Sequence, residues 1–218
     1  MTDISELIGK IHCCDCLEFM RDMPDGCVDL VLTDFPYGVG VDYGDTYSDT
    51  RDNLVELVNN AMPEILRISN VALITCGQTQ INLFPAPAWI LAWVLPAGNN
   101  MNSWGFTCWQ PILAYGKNPY LAAGKGARQD IIIHQEASPK TGHPCPKPNK
   151  FWQKLLLKGS IKEDDIVFDP FMGSGSTAVA CYEHRRQYIG CEISEEYCKI
   201  ARKRIQEEKD KYALFGDQ

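Results

Sequence analysis

Hydrophobic positions in this chain cluster in two ways: short, nearly continuous runs, and longer stretches in which they return every three or four residues. The run at 71–76, closed by Gly77, predicts a strand covered on both faces, the run at 28–32 a buried strand, and those at 166–168 and 188–192 two further strands. A shorter strand is expected at 11–14, followed by Asp15 and an apolar-periodic turn through Leu17 and Met20. Two more strands are expected at 89–95 and 111–115, with Gly98, Asn99 and Asn100 and the pair Trp104 and Gly105 in loops between them. Leu54, Leu57, Val58, Ala61, Ile65 and Leu66 recur at helical spacing, which predicts a helix over 52–68, and similar patterns cover 147–158, 174–184 and 194–211. A short helix is expected at 78–83. Strands alternating with helices predict an α/β fold: a doubly wound, mostly parallel, seven-stranded sheet with helices on both faces, in one domain spanning 1–218. Ligands of such sheets bind beyond the carboxyl ends of the strands, at the switch point.

Composition changes this picture in one respect. The formal net charge is −7, yet residues 117–158 carry eight basic and two acidic side chains, so that segment is +6 and the remainder −13. A basic strip on an acidic body suits a polyanionic partner, with a solvated lysine-rich loop as the plain alternative. The 45% hydrophobic content supports one substantial core. Ten cysteines at no framework spacing read as reduced thiols of a cytoplasmic protein. His12, Cys13, Cys14 and Cys16 lie close in sequence, but adjacent strand residues point to opposite faces and no second pair follows, so no metal site is expected. The longest greasy stretch, 89–95, is far short of the ~20 residues of a membrane helix, and the start of the chain has no signal pattern, so no membrane partner is expected.

Two stretches carry chemistry. The run 28–32 leads through Thr33 into Asp34, Phe35, Pro36 and Tyr37, which places a carboxylate and aromatic rings at a strand's carboxyl edge. The second stretch, Phe168-Asp169-Pro170-Phe171-Met172-Gly173-Ser174-Gly175-Ser176-Thr177, follows a strand and opens a helix, and Gly173 and Gly175 let backbone approach a ligand. It lacks the lysine of a phosphate-binding loop. Gly173, Gly175 and Ala178 fit the dinucleotide spacing, but Asp169 would oppose a pyrophosphate, so a ligand with positive charge and hydroxyls fits better. Glu192 ends the next strand, where an acid can accept from ribose hydroxyls or cap the helix that starts near Ser194. The irregular loop 38–50, with its acids and tyrosines, reads as either a lid or an exposed connection.

Taken together, these motifs resemble the amino-group (N6-adenine/N4-cytosine) DNA methyltransferases, in the permuted order that places the catalytic segment first. Asp34-Phe35-Pro36-Tyr37 is similar to that family's catalytic Asp-Pro-Pro-Tyr. His143-Pro144-Cys145-Pro146-Lys147-Pro148 resembles its His-Pro-x-x-Lys-Pro. The 169–175 loop matches the cofactor loop, and Glu192-Ile193-Ser194 with Tyr197 matches the ribose strand and the helix after it. The resemblance implies the S-adenosylmethionine-dependent methyltransferase fold and S-adenosylmethionine as cofactor, held by Asp15, His143, Lys147, Asp169, Phe171, Gly173, Ser174, Gly175, Thr177, Glu192 and Ile193. It also makes the strands ending at Asp34 and Asp169 neighbours.

The implied chemistry is methyl transfer to an exocyclic base amine whose lone pair is delocalised into its ring. The Asp34 carboxylate and the carbonyl of residue 35 would hold the amine hydrogens, and Tyr37 would stack on a base flipped from double-stranded DNA. Adenine N6 is favoured over cytosine N4 because Asp34 stands where the latter enzymes often carry serine. A catalytically weak nucleic-acid-binding relative, and an enzyme acting on RNA or a glutamine amide, remain the other readings. Phe35 replaces the family's proline, so its ring is expected to add bulk at the target pocket. Residues 118–140 fall where the family places target recognition, with Lys125, Arg128 and Lys140 expected on phosphate. That region is short, which suggests a small target or a second subunit, as in a homodimer.

Overall fold

The computed structural model describes residues 3–98 and 100–215. In chain order the elements begin with β1 (Lys10–Cys13), α1 (Cys16–Arg21), β2 (Val28–Asp34), α2 (Arg51–Ile68) and β3 (Ser69–Thr75). A 3-10 helix at Gln78–Leu83 leads to β4 (Trp89–Val94), β5 (Asn100–Asn102), β6 (Gly105–Thr107) and β7 (Trp109–Gly116). The chain continues through α3 (Pro119–Ala122), β8 (Ile131–Ile133), α4 (Asn149–Gly159), β9 (Ile166–Asp169), α5 (Ser176–Glu183), β10 (Gln187–Glu192) and α6 (Glu195–Phe215).

Eight strands form one sheet in the order β1-β10-β9-β2-β3-β7-β4-β8. All its ladders are parallel except those that β7 makes with β3 and β4. The predicted architecture holds, with one strand more than the seven expected. The addition is β8, three isoleucines inside a segment too irregular to signal an element, which pairs with β4 through Ala92, Trp93 and Val94. The stretch expected as loops between β4 and β7 instead folds into the two-stranded ribbon β5–β6. Asn99 of that stretch lies outside the described residues.

The central strands are buried because both sheet faces are covered. Leu30 and Leu32 of β2 belong to the core shared with Phe151, Trp152 and Leu155 of α4, whereas Val31 belongs to the core shared with Leu54, Val58 and Ile65 of α2. This double burial explains the continuous apolar run that marked β2 in the sequence. Thr50 caps α2 by accepting from the Asn53 N–H at 3.3 Å, and Asp15 caps α1 by accepting from Leu17 and Glu18 at 2.7 and 3.2 Å.

The register sorts the loops onto two edges. Thr75, at the end of β3, pairs with Ile112, while Val71, near its start, pairs with Gly116. The segment that follows Gly116 therefore leaves from the edge where the parallel strands begin. The β4–β7 connection, carrying β5–β6, lies at the opposite edge, where Asp34, Asp169 and Glu192 end their strands.

Candidate active site

Asp34 and Asp169 close neighbouring strands, joined through Leu30↔Val167 and Val31↔Phe168. Two acids at adjoining ends of a buried sheet need donors, and threonines supply them. Thr33 Oγ1 donates to Asp169 Oδ1 at 2.6 Å, Thr177 Oγ1 to Asp169 Oδ2 at 2.5 Å, and the Phe171 N–H to Oδ1 at 3.0 Å. Trp152 Nε1 donates to Thr177 Oγ1 at 2.8 Å and so orients that hydroxyl toward the acid. Burial outweighs these bonds and pushes the Asp169 carboxyl up to about 6.

The two oxygens of Asp34 are treated differently. Oδ1 accepts from Thr75 Oγ1 at 2.5 Å and from the Tyr37 hydroxyl at 3.1 Å, and that hydroxyl is also 3.4 Å from Gln110 Oε1. Oδ2 is paired with Lys147 Nζ at 2.5 Å. The same ammonium lies 5.3 Å over the Tyr37 ring, so it contacts the carboxylate and the aromatic face together. Burial, with the Asp34 charge second, drives the Tyr37 phenol well above its ordinary value and keeps it a donor. Lys147, expected beside a cofactor, is thus paired with Asp34.

Phe35 corrects an expectation. Its side chain is fully buried, edge-on to Phe84 (centroids 5.1 Å) and Phe171 (4.7 Å), and belongs to the core under α1 and α2. It adds no bulk to the pocket, because residues alternate across a strand end and residue 35 points away from the side that Asp34 presents. Its N–H donates to Thr75 O at 3.3 Å, which continues the β2–β3 ladder by one bond.

These acids border a cavity of about 480 Å³, within the range of small-molecule sites. Asp15, His143, Lys147, Asp169, Phe171, Gly173, Ser174, Thr177, Glu192 and Ile193 line it, as do Asp34 and Pro36. Three of the expected catalytic and cofactor residues are absent from that wall: Phe35 and Tyr37, described above, and Gly175. At Gly175 φ is +84°, and a Cβ would lie 3.1 Å from the Ala201 backbone, so this glycine permits the close approach of the loop to α6.

Glu192 clamps the loop from the next strand. Oε2 accepts from the Gly173 N–H and Oε1 from the Ser194 N–H, both at 2.8 Å, so the capping alternative is realised while the acid still faces the cavity. Burial raises its carboxyl above the usual range against these bonds. Arg204 fixes the loop from behind, donating to Ser174 O at 2.5 Å and Oγ at 3.1 Å. His143 Nδ1 accepts from the Cys145 N–H at 3.1 Å, which leaves the proton on Nε2, and burial, with Lys147 adding, lowers the ring to about 4.

More of the lining comes from the 38–50 loop and from α2. The 38–50 loop is drawn together by buried Asp49, whose carboxylate accepts from Gly38, Val39 and Val41, and it supplies Tyr43 and Tyr47 to the wall. The Tyr47 hydroxyl is buried with no partner among the described residues. Asn53, Glu56 and Asn60 complete the wall from α2; their spacing puts them on one helix face, a signal that was legible. Thr75 and Gln110 carried no such signal, since their role depends on which strands neighbour β2.

The basic strip is divided by the fold. Lys125 and Arg128 lie on the segment that leaves from the far edge of the sheet, and Arg128 sits 3.9 Å over the Tyr120 ring. These two residues therefore stand at the opposite edge of the sheet from Asp34. Lys140 is exposed on the connection from β8 to α4, which leaves from the edge where Asp34 ends its strand. Among the described residues no group of three or more His, Cys, Asp or Glu could hold a metal ion, all ten cysteines are free, and no helix is long and apolar enough to cross a membrane.

Comparison with known proteins agrees with this geometry. A family model described as DNA methylase, of N6/N4 type, matches residues 98–203. The chain is 30% identical over 200 residues to the Escherichia coli (strain K12) protein named "Putative methylase YubD", covering 88% of this chain and 87% of that protein. It is 24% identical over 236 residues to the type II methyltransferase M.HpaI of Haemophilus parainfluenzae, covering 91% and 74%. Among solved structures, an M1.HpyAVI–SAM complex matches with a TM-score of 0.63 at 24% identity, covering 90% of this chain and 98% of that one. The cytosine-N4-specific PvuII DNA methyltransferase matches with a TM-score of 0.66 at 15% identity, covering 94% and 95%.

Proposed function

Because the chain belongs to the N6/N4 family of DNA methylases, we propose that it transfers a methyl group from S-adenosylmethionine to the N6 amine of adenine flipped out of duplex DNA. The observation that carries this reading is the convergence of Asp34 and Asp169 on one cavity, with Glu192 at its far side. Asp169 and Glu192 offer negative charge and acceptors to a cofactor bearing a sulfonium, an ammonium and a ribose. The unpartnered Tyr47 hydroxyl offers a further donor in the same wall. When bound, S-adenosylmethionine supplies an electrophilic methyl group on positively charged sulfur.

The chain's own residues then orient the acceptor. Thr75 and Tyr37 hold Asp34 Oδ1, so Oδ2 is the oxygen left for the target amine, and the carbonyl of Phe35 takes the second amine hydrogen. Lys147 occupies Oδ2 and the face of Tyr37 together, which is the footprint of a base amine and its ring. The base displaces Lys147 from both. Asp34 stabilises the charge developing on nitrogen, and catalysis is orientation and electrostatics without a covalent intermediate.

Expression in a methylation-free host followed by modification-sensitive sequencing tests this reading, with N6-methyladenine at a fixed sequence expected. N4-methylcytosine would move the assignment to the other branch of the family. Cofactor binding without any modified base would select the reading of a catalytically weak nucleic-acid-binding relative.

Cofactor affinity should depend on pH through Asp169. A folded carboxyl near 6 against an ordinary 3.8 takes up protons between those values, so its contribution to stability falls as pH rises through that window. A cationic cofactor needs the anion, so affinity should fall as pH drops below about 6, approaching tenfold per unit. Calorimetric titration between pH 7 and 5 reads this, and Asp169→Asn should bind weakly with a flat profile. A slope retained in Asp169→Asn would move the effect to Glu192.

A further inference from the structure

The β5–β6 ribbon contributes nothing to either core, yet its strands are paired and it is apolar. Met101 and Phe106 form a cross-strand pair, 76% and 73% exposed, and Trp104 at the turn is 97% exposed. The turn is fixed by Asn102, whose Oδ1 accepts from the Trp104 N–H at 2.8 Å and whose Nδ2 donates to Thr107 Oγ1 at 3.0 Å. The base of the loop is closed by the Leu95 N–H donating to Cys108 O at 2.8 Å. From Ala97 to Cys108 the sequence contains no Asp, Glu, Lys or Arg.

We propose that this ribbon is a DNA-contacting element that works by base stacking, with Trp104 occupying space beside the flipped nucleotide. The inference rests on the function proposed above. Its ground is position: the ribbon returns into β7 at Trp109, and the next residue, Gln110, contacts the Tyr37 hydroxyl. Thr107 is therefore within about 10 Å of Gln110 by chain reach. Duplex that delivers a base to Asp34 must lie against this edge.

The chemistry of the ribbon selects which part of the duplex it meets. A segment without cations gains little from phosphate, whereas exposed aromatic and thioether side chains gain from unstacked bases. Flipping a nucleotide leaves its neighbours unstacked, and an inserted apolar side chain compensates. A second copy of the chain fits less well, because a stable dimer buries about 800 Å² per partner and the tip of one short ribbon supplies only part of that.

The test uses the full chain and a duplex carrying the sequence that methylation sequencing identifies, with 2-aminopurine in place of the target base as a reporter of flipping. Trp104→Ala should weaken binding roughly 5- to 150-fold, the range for loss of one base–aromatic stack. It should also lower the 2-aminopurine signal and leave cofactor affinity and the melting temperature unchanged. Trp104→Phe should restore much of the loss. The slope of log affinity against log salt should stay that of the wild type in Trp104→Ala, whereas Lys140→Ala should reduce it by about 0.9. Wild-type affinity and signal in Trp104→Ala would overturn the proposal, as would a shift from dimer to monomer in sedimentation, which would make the ribbon a subunit interface. If the wild-type chain methylates no duplex, the proposed function and this inference fall together. If it does and Trp104→Ala is silent, only the inference falls.

Discussion

Asp34→Asn should lower the single-turnover rate of methyl transfer by on the order of 100- to 1000-fold, the usual cost of removing one preorganised group from a developing charge. The amide still accepts from Thr75 on one side, so the strand end keeps its shape. On the other side it presents either a donor or a neutral oxygen where the amine needs an anion. Lys147 loses its partner at Oδ2, which removes the ion pair but leaves the cation facing the Tyr37 ring. The cofactor's affinity should change far less than the rate, because Asp169 and Glu192 remain. Rapid-quench measurement with saturating DNA, paired with calorimetry of cofactor binding, separates the two. A rate within tenfold of the wild type would remove Asp34 from the chemistry.

Phe35→Ala should destabilise the fold by about 3–5 kcal/mol, the range for emptying a buried phenylalanine site. The ring fills the space between Phe84 and Phe171 and is fully buried, so its loss leaves a cavity beneath the strand end that carries Asp34. Phe35→Pro, which restores the family's usual residue, should also destabilise. It empties the same site and removes the N–H that donates to Thr75 O. Phe35→Leu should fold and keep the wild-type choice of base, because the ring does not border the pocket. Urea denaturation reads the first two, and methylation of adenine- and cytosine-containing duplexes reads the third. A changed base preference in Phe35→Leu with unchanged stability would return the ring to the target site.

The α/β architecture was legible because its central strands are buried on both faces. The continuous runs that became β2, β3 and β10 therefore could not be mistaken for half-exposed strands. The acids at the ends of β2, β9 and β10 were legible for a related reason, since a carboxylate closing a buried strand is costly unless it serves a site. β8 was missed because three isoleucines among glycines and lysines have too short a pattern, and only the open edge of β4 makes them a strand. The ribbon β5–β6 was missed because Met101, Trp104 and Phe106 face no core and so leave no burial pattern.

By itself, the sequence determined the buried strands and the long helices, the motif residues and their order along the chain, because these depend on local patterning and on residue chemistry. The tertiary structure alone decided three further matters. It assigned Thr75, Tyr37 and Lys147 to particular oxygens of Asp34, and it turned the Phe35 ring into the core. It also sent Lys125 and Arg128 to one edge of the sheet and the Trp104 ribbon to the other. Each of these depends on which strands are neighbours and in which direction they run. A crossover sheet sets both through packing between residues more than a hundred positions apart, as between Thr33 and Asp169, where no local pattern reaches.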